Sequence, residues 1–229
     1  MPKILALDTS TDACSVALAL DGDVHQDFRV IPRQHTKQLL PMVQDMLQAH
    51  GVQVADLDAI AVGRGPGSFA GIRIATGAAQ GLAFAAELPM LPVSTLAAMA
   101  LSIHRATGAE QIVTALDARM DEIYCCAYRI ENGLPEPLMP ETVCAPGALE
   151  LPAGIESWTV GGSGWCYLSS MSDAVQQSVQ VLEDAVYPAA AEIVTLARQD
   201  WDAGNTVAPE DALPVYLRDE VAWKKKDQQ

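Results

Sequence analysis

Two hundred and twenty-nine residues carry 14 basic and 29 acidic side chains, a formal charge of -15, and 50% of the chain is apolar. A chain of this length builds one large or two small domains around a substantial core, which excludes intrinsic disorder. The acidic balance argues against a chain that grips a phosphate backbone alone, because such binding rests on Lys and Arg neutralising phosphates.

Charge is unevenly placed. Residues 1–108 hold 7 basic and 9 acidic side chains, net -2, and residues 109–229 hold 7 and 20, net -13. The two stretches read as two modules. Aromatics make up only 5% of the chain, so the core must be Ala, Val, Leu and Ile in closely packed elements. Five cysteines without CxxC spacing indicate neither a disulfide framework nor a zinc ribbon, and a reduced cytoplasmic setting fits. No signal-peptide pattern and no long uncharged apolar window occur, so no membrane span is expected.

In chain order, Lys3 to Leu7 is an apolar run entering a polar turn, Asp8 to Asp12. Cys14 to Leu20 and Val24 to Ile31 are strand-like on either side of Asp21-Gly22, a hairpin signal. Leu39, Val43, Met46 and Leu47 recur at helical spacing before Gly51, with Pro41 expected early in that helix. Leu57 to Val62 reads as a buried strand and is followed by a glycine-dense loop, Gly63 to Ser68. Ser68 is a candidate N-cap for a helix to about Ala86, and Ser94 or Thr95 for one to about Arg105, with a short strand near Pro89 and Pro92 between them. The second stretch opens again with strand, polar turn and strand: Ile112 to Leu116, Asp117 to Asp121, Ile123 to Ile130. A proline-rich loop region, a short strand Trp158 to Val160 and a helix Ala189 to Trp201 follow. The tail is expected to pack back through Tyr216, Leu217 and Trp223. Two stretches that open alike suggest a duplicated sheet-and-helix unit.

Two motifs bear on chemistry. Asp8-Thr9-Ser10-Thr11 between two strands offers hydroxyls and amides to a phosphate and a carboxylate to magnesium or a water, although the motif alone favours an ordinary hairpin rich in turn formers. The loop Gly63 to Ser68 presents helix N-terminal amides but lacks the Lys-Ser/Thr ending of a P-loop. In the helix that follows, Gly71, Gly77 and Gly81 each cost roughly 1 kcal/mol relative to alanine. Gly77 and Gly81, beside Ile74 and Ala78, permit close approach of another helix, from the same chain or from a partner. Four scattered histidines form no HxxxH or HExxH pair, so no metal site is expected. Ser163 misses the G-x-S-x-G elbow by spacing. Cys125 and Cys126 alternate across a strand as packing residues. The Lys224 to Lys226 run is most simply a solvated tail.

ILALDTSTDACSVAL at 4–18, RQHTKQLLPMV at 33–43, AVGRGPGSFAGIRIATGAAQGLA at 61–83 and PVYLRDEVAWKK at 214–225 resemble the TsaB (YeaZ) family across nearly the whole chain. The resemblance implies an α/β fold of the actin, sugar-kinase and Hsp70 (ASKHA) superfamily, with lobes at 1–108 and 109–229. It implies that Asp8, Thr9, Ser10 and Thr11 match the first phosphate loop, and Asp117 and Arg119 the second. In the paralogue TsaD a metal-binding histidine pair occupies the positions that here are Thr95 and Met99, and the adenosine-binding glycine motif is only partly kept in Gly161 to Gly164. The resemblance therefore implies a non-catalytic subunit, with no cofactor and no metal, required for threonylcarbamoyladenosine formation at adenosine 37 of tRNA. It would bind TsaD, allow the ATPase TsaE to join, meet tRNA only through the complex, and pair as a homodimer when isolated. The helices holding Leu39, Val43, Met46, Gly71, Ile74, Gly77, Ala78 and Gly81 would form the partner face. The competing readings are an ATP-dependent phosphotransferase, which the phosphate-like loops favour, and a glycoprotease, which the missing ligand set disfavours.

Overall fold

The computed structural model describes residues 1–218. Three strands, β1 (Ile4–Asp8), β2 (Ala13–Leu20) and β3 (Asp23–Val30), form an antiparallel meander. Asp21 and Gly22, at φ 51° and 101°, make its two-residue turn, as the dipeptide demands. Helix α1 (His35–Ala49) follows, then β4 (Ala59–Gly63), α2 (Phe69–Ala85), β5 (Met90–Val93) and α3 (Thr95–Thr107). β4 and β5 extend the sheet in parallel, giving the order β3-β2-β1-β4-β5.

The second stretch repeats this plan. β6 (Gln111–Arg119), β7 (Glu122–Glu131) and β8 (Leu134–Pro137) form a meander, and β9 (Thr142–Cys144) adds to β7. β10 (Trp158–Gly161), α4 (Asp173–Ser178), β11 (Val179–Val181) and α5 (Ala190–Asp202) complete it. β10 and β11 are parallel to β6, so the order β8-β7-β6-β10-β11 matches the first sheet strand for strand. This duplicated pair of mixed sheets is the actin, sugar-kinase and Hsp70 architecture.

Every residue of β1 is buried, because the sheet is covered on both faces. Leu5 and Leu7 join Val16, Leu18, Ile60 and Val62 under α1 and α2. On the opposite face Ile4 and Ala6 join Ala17, Ala19, Ala59 and Ala61 under Ile193, Val194 and Ala197 of α5. Alanine on that face is what lets α5 lie close to the strands. The N-terminus of α5 is capped by the sheet it covers: Ala190 N donates to Ser15 Oγ (3.0 Å) and Ala191 N to Gln26 Oε1 (2.8 Å). Conversely α3, the last helix of the first stretch, sets Leu96, Met99 and Ile103 against Ile112, Cys126 and Tyr128 of the second sheet. A cut between 108 and 109 thus separates the two repeats but not the two packed bodies, since each repeat's final helix covers the other's sheet.

Local differences from the sequence pattern have simple causes. α1 begins at His35, two residues ahead of the expected start at 37, so Pro41 lies well inside it and the Lys37 carbonyl lacks its helical donor. The proline-rich stretch contains β8 and β9, with Pro135 and Pro137 tolerated because β8 lies at the edge. α4 and β11 are too short to show a period. Tyr216 packs back, its ring centroid 5.7 Å from that of Phe69, whereas Trp223 and Lys224 to Lys226 lie outside the described residues.

Because α5 completes the first sheet's core, Ile193→Ala, at a fully buried site, is expected to destabilise the whole chain by about 2–4 kcal/mol in urea unfolding. The loss should appear in a single transition. Two separated transitions would contradict the exchanged-helix arrangement.

Candidate functional site

Asp8, Thr9 and Ser10 are buried, and Thr11 is half-buried, because the segment 63–72 lies directly over their loop. Ser68 N donates to Ser10 O (2.7 Å), and Thr9 Oγ1 donates to Gly71 O (2.6 Å). Side chains on the covering segment would prevent this approach. A Cβ at Gly63 would collide with Asp8 Oδ2, one at Gly71 with the Thr9 carbonyl, and one at Gly67 would lie 2.5 Å from Ser10 O. Gly71, expected on a partner face, is therefore an intramolecular contact.

The polar groups that would greet a phosphate are turned inward. The Ser10 amide and hydroxyl both donate to Asp8 Oδ1 at 3.0 Å. Among the described residues, Asp8 Oδ2 has no hydrogen-bond partner. Burial raises the Asp8 pKa from 3.8 to about 7, against the lowering effect of the two Ser10 hydrogen bonds. Thr95 also serves the loop, donating from N to Gly65 O (3.1 Å) and from Oγ1 to Pro66 O (2.5 Å).

The second loop is open by contrast. Arg119, Met120 and Asp121 all sit at positive φ (62°, 58°, 58°), and Arg119 is exposed. Arg119 N donates to Asp117 Oδ1 (2.8 Å), and its guanidinium pairs with Asp117 Oδ2 (3.1 Å). β6 runs on through Asp117 to Arg119, so the turn is tighter than the polar run suggests. Arg218 pins this turn from the tail, donating to the Ala118 and Arg119 carbonyls (3.2 and 3.3 Å) and pairing with Glu122. No periodicity pointed to Arg218, because its partners are backbone oxygens distant in sequence. Gly162 and Gly164 approach Ala115 of β6, and Met99 packs beside Gly162, so the partly kept glycine motif has a packing use.

The predicted partner face divides. Leu39, Val43 and Met46 are buried in the core between α1 and the first sheet, so they cannot contact a partner in this fold. The periodicity that singled them out marks the inward side of α1, and Leu40 is the residue that faces outward. On α2, Gly77 and Gly81 are exposed, Ile74 and Ala78 half-buried, and a Cβ at either glycine would meet nothing within 4 Å among the described residues. Phe69 (59% exposed), Arg73 and Phe84 (76% exposed) flank them. Among the described residues no three His, Cys, Asp or Glu side chains gather as a metal-binding group, and no helix is long and apolar enough to cross a membrane.

The buried acid gives a signed prediction. The unfolded carboxyl ionises near 3.8 and the folded one near 7, so its contribution to stability falls as pH rises between those values and stays low above them. Asp8→Asn should match the parent near pH 4 and exceed it at pH 8 by on the order of 3–4 kcal/mol in urea unfolding. A difference that does not grow with pH would refute the buried, protonated Asp8.

Residues 29–226 match the family model described as TsaD, tRNA N6-adenosine threonylcarbamoyltransferase. The chain is 46% identical over 228 residues to the tRNA threonylcarbamoyladenosine biosynthesis protein TsaB of Escherichia coli, covering 97% of each. It is 38% identical to the TsaB of Haemophilus influenzae, covering 97% of this chain and 96% of that one. The solved structure of YeaZ from Pseudomonas aeruginosa superposes with a TM-score of 0.89 at 44% identity, over 95% of this chain and 100% of that one. With the duplicated fold and the near full-length identity together, the chain belongs to the TsaB (YeaZ) family of tRNA threonylcarbamoyladenosine biosynthesis proteins.

Proposed function

We propose that this protein is a non-catalytic subunit for threonylcarbamoyladenosine formation at adenosine 37 of tRNAs reading codons that begin with A, binding the catalytic subunit TsaD through the outer face of α2 and allowing TsaE to join. One observation carries the reading. Gly77 and Gly81 weaken α2, yet among the described residues no atom lies where their side chains would be. Gly63, Gly67 and Gly71 are explained by the fold, and these two are not. A helix of another protein packed across Gly77 and Gly81 gives them a use, with Phe69 and Phe84 as apolar anchors at either end. The same face would pair two copies when the partner is absent.

The inward-turned Asp8 loop supports the non-catalytic part. The Thr9 and Ser10 hydroxyls and the Ser10 amide are engaged by the chain itself, which disfavours the phosphotransferase reading. Thr95 and Met99 serve loop and core contacts.

Gly77→Ala should fold and gain roughly 0.5–1 kcal/mol, because it strengthens the helix in open space. Gly77→Leu should also fold but lose co-purification with TsaD and the stimulation of threonylcarbamoyladenosine formation in a reconstituted reaction. Wild-type recovery of TsaD with Gly77→Leu would defeat the assignment of this face. Calorimetry of the isolated chain with ATP and magnesium should show no saturable binding, and tight binding would favour the phosphotransferase.

A further inference from the structure

A cleft of about 670 Å³ opens beyond the carboxyl ends of β4 and β5, and its lining includes neither the Asp8 loop nor the exposed face of α2. Open α/β sheets bind ligands beyond the carboxyl ends of their parallel strands, and the volume lies in the range of small-molecule sites. Four polar side chains converge on it from separate elements. Arg64 follows β4, Ser94 follows β5 and caps α3, Tyr128 comes from β7, and Glu141 from the connection between β8 and β9. Glu141 Oε2 lies 3.2 Å from Arg64 Nη2, and Glu141 Oε1 accepts from Ser94 Oγ. The two charged side chains are 28% and 14% exposed, so the pair is reachable from the cleft while largely shielded from water. Tyr128 is only 2% exposed, and its hydroxyl, buried beside Ser94 and Cys126, makes no hydrogen bond of good geometry among the described residues. Leu138 and Met139 supply part of an apolar wall.

The charge pattern selects the ligand. A simple anion drawn to Arg64 would displace Glu141 and leave a carboxylate unpaired beside it, and a simple cation would strand Arg64 in the same way. A zwitterion satisfies both, its carboxylate on Arg64 and its ammonium on Glu141, which Ser94 Oγ holds in place, with the Tyr128 hydroxyl available for a further hydrogen bond. We infer that the cleft framed by Arg64, Ser94, Tyr128 and Glu141 is a binding site for a free α-amino acid whose apolar portion packs on Leu138 and Met139. No covalent step is involved, and the site is independent of any partner on α2.

The test is titration of the isotope-labelled full chain with L-leucine, N-acetyl-L-leucine and L-leucinamide, followed by NMR. Leucine should give saturable shifts at residues lining the cleft, and the two blocked forms should bind at least about tenfold more weakly, each lacking one charge. Glu141→Gln should erase the discrimination against the acetylated form, and Arg64→Met that against the amide. Tyr128→Phe keeps the ring that packs under α3, so it should fold and bind leucine several-fold more weakly. Absence of saturable shifts up to about 10 mM leucine, or equal binding of all three compounds, would overturn the proposal.

Discussion

Three glycines set the geometry around which the first sheet's upper edge is built. Gly63, Gly67 and Gly71 let the backbone after β4 and the first turn of α2 rest on the backbone of residues 8–10, where any side chain would intrude. That contact closes over the Asp8 loop, buries Asp8 with no partner among the described residues for one of its oxygens, and fixes the direction in which α2 leaves the sheet. The proposed partner face and the proposed absence of catalysis therefore share one cause. The segment that covers the loop is the same segment that launches α2, the proposed partner helix.

Electrostatics fits this division. The first repeat is close to neutral, and the outer face of α2 offers glycine, alanine and phenylalanine with a single arginine, Arg73, which stacks on the Phe69 ring at 3.7 Å. An apolar, weakly charged face suits close helix packing. The excess of carboxylates lies in the second repeat, where it favours solubility and discourages direct contact with RNA. In the proposed complex, RNA contacts then fall to other subunits.

Much of this was legible from residues alone. Period-2 and period-3.6 patterns, Asp21-Gly22, Ser68 and Ser94 placed the first repeat's elements to within a few residues, because each signal is local. The GPGS-type segment carried the family. Periodicity marked the apolar side of α1 but not what covers it, so Leu39, Val43 and Met46 looked like partner contacts when they are core against the first sheet. Nor did it separate Gly71 from Gly77 and Gly81, since what distinguishes them is the presence or absence of another backbone across the helix. The exchange of α3 and α5 was hidden for the same reason. Helical amphipathicity tells that a face is covered but not by which sheet. Glu141 and Arg218 had no signal at all, as their partners lie 47 and 96 or more residues away.

The exchange of final helices also bears on how the chain is made. By residue 93 all five strands of the first sheet have been synthesised, yet its alanine-rich face, which gains only Ala98 and Leu101 from α3, stays largely uncovered until α5, residues 190–202, is available. The N-terminal repeat cannot finish its core on the ribosome ahead of the C-terminal one, as an ordinary N-terminal domain would. A protein that looks like two tandem copies in sequence is thus one cooperative unit in synthesis, and a nascent chain stalled before α5 exposes an apolar sheet surface to its neighbours.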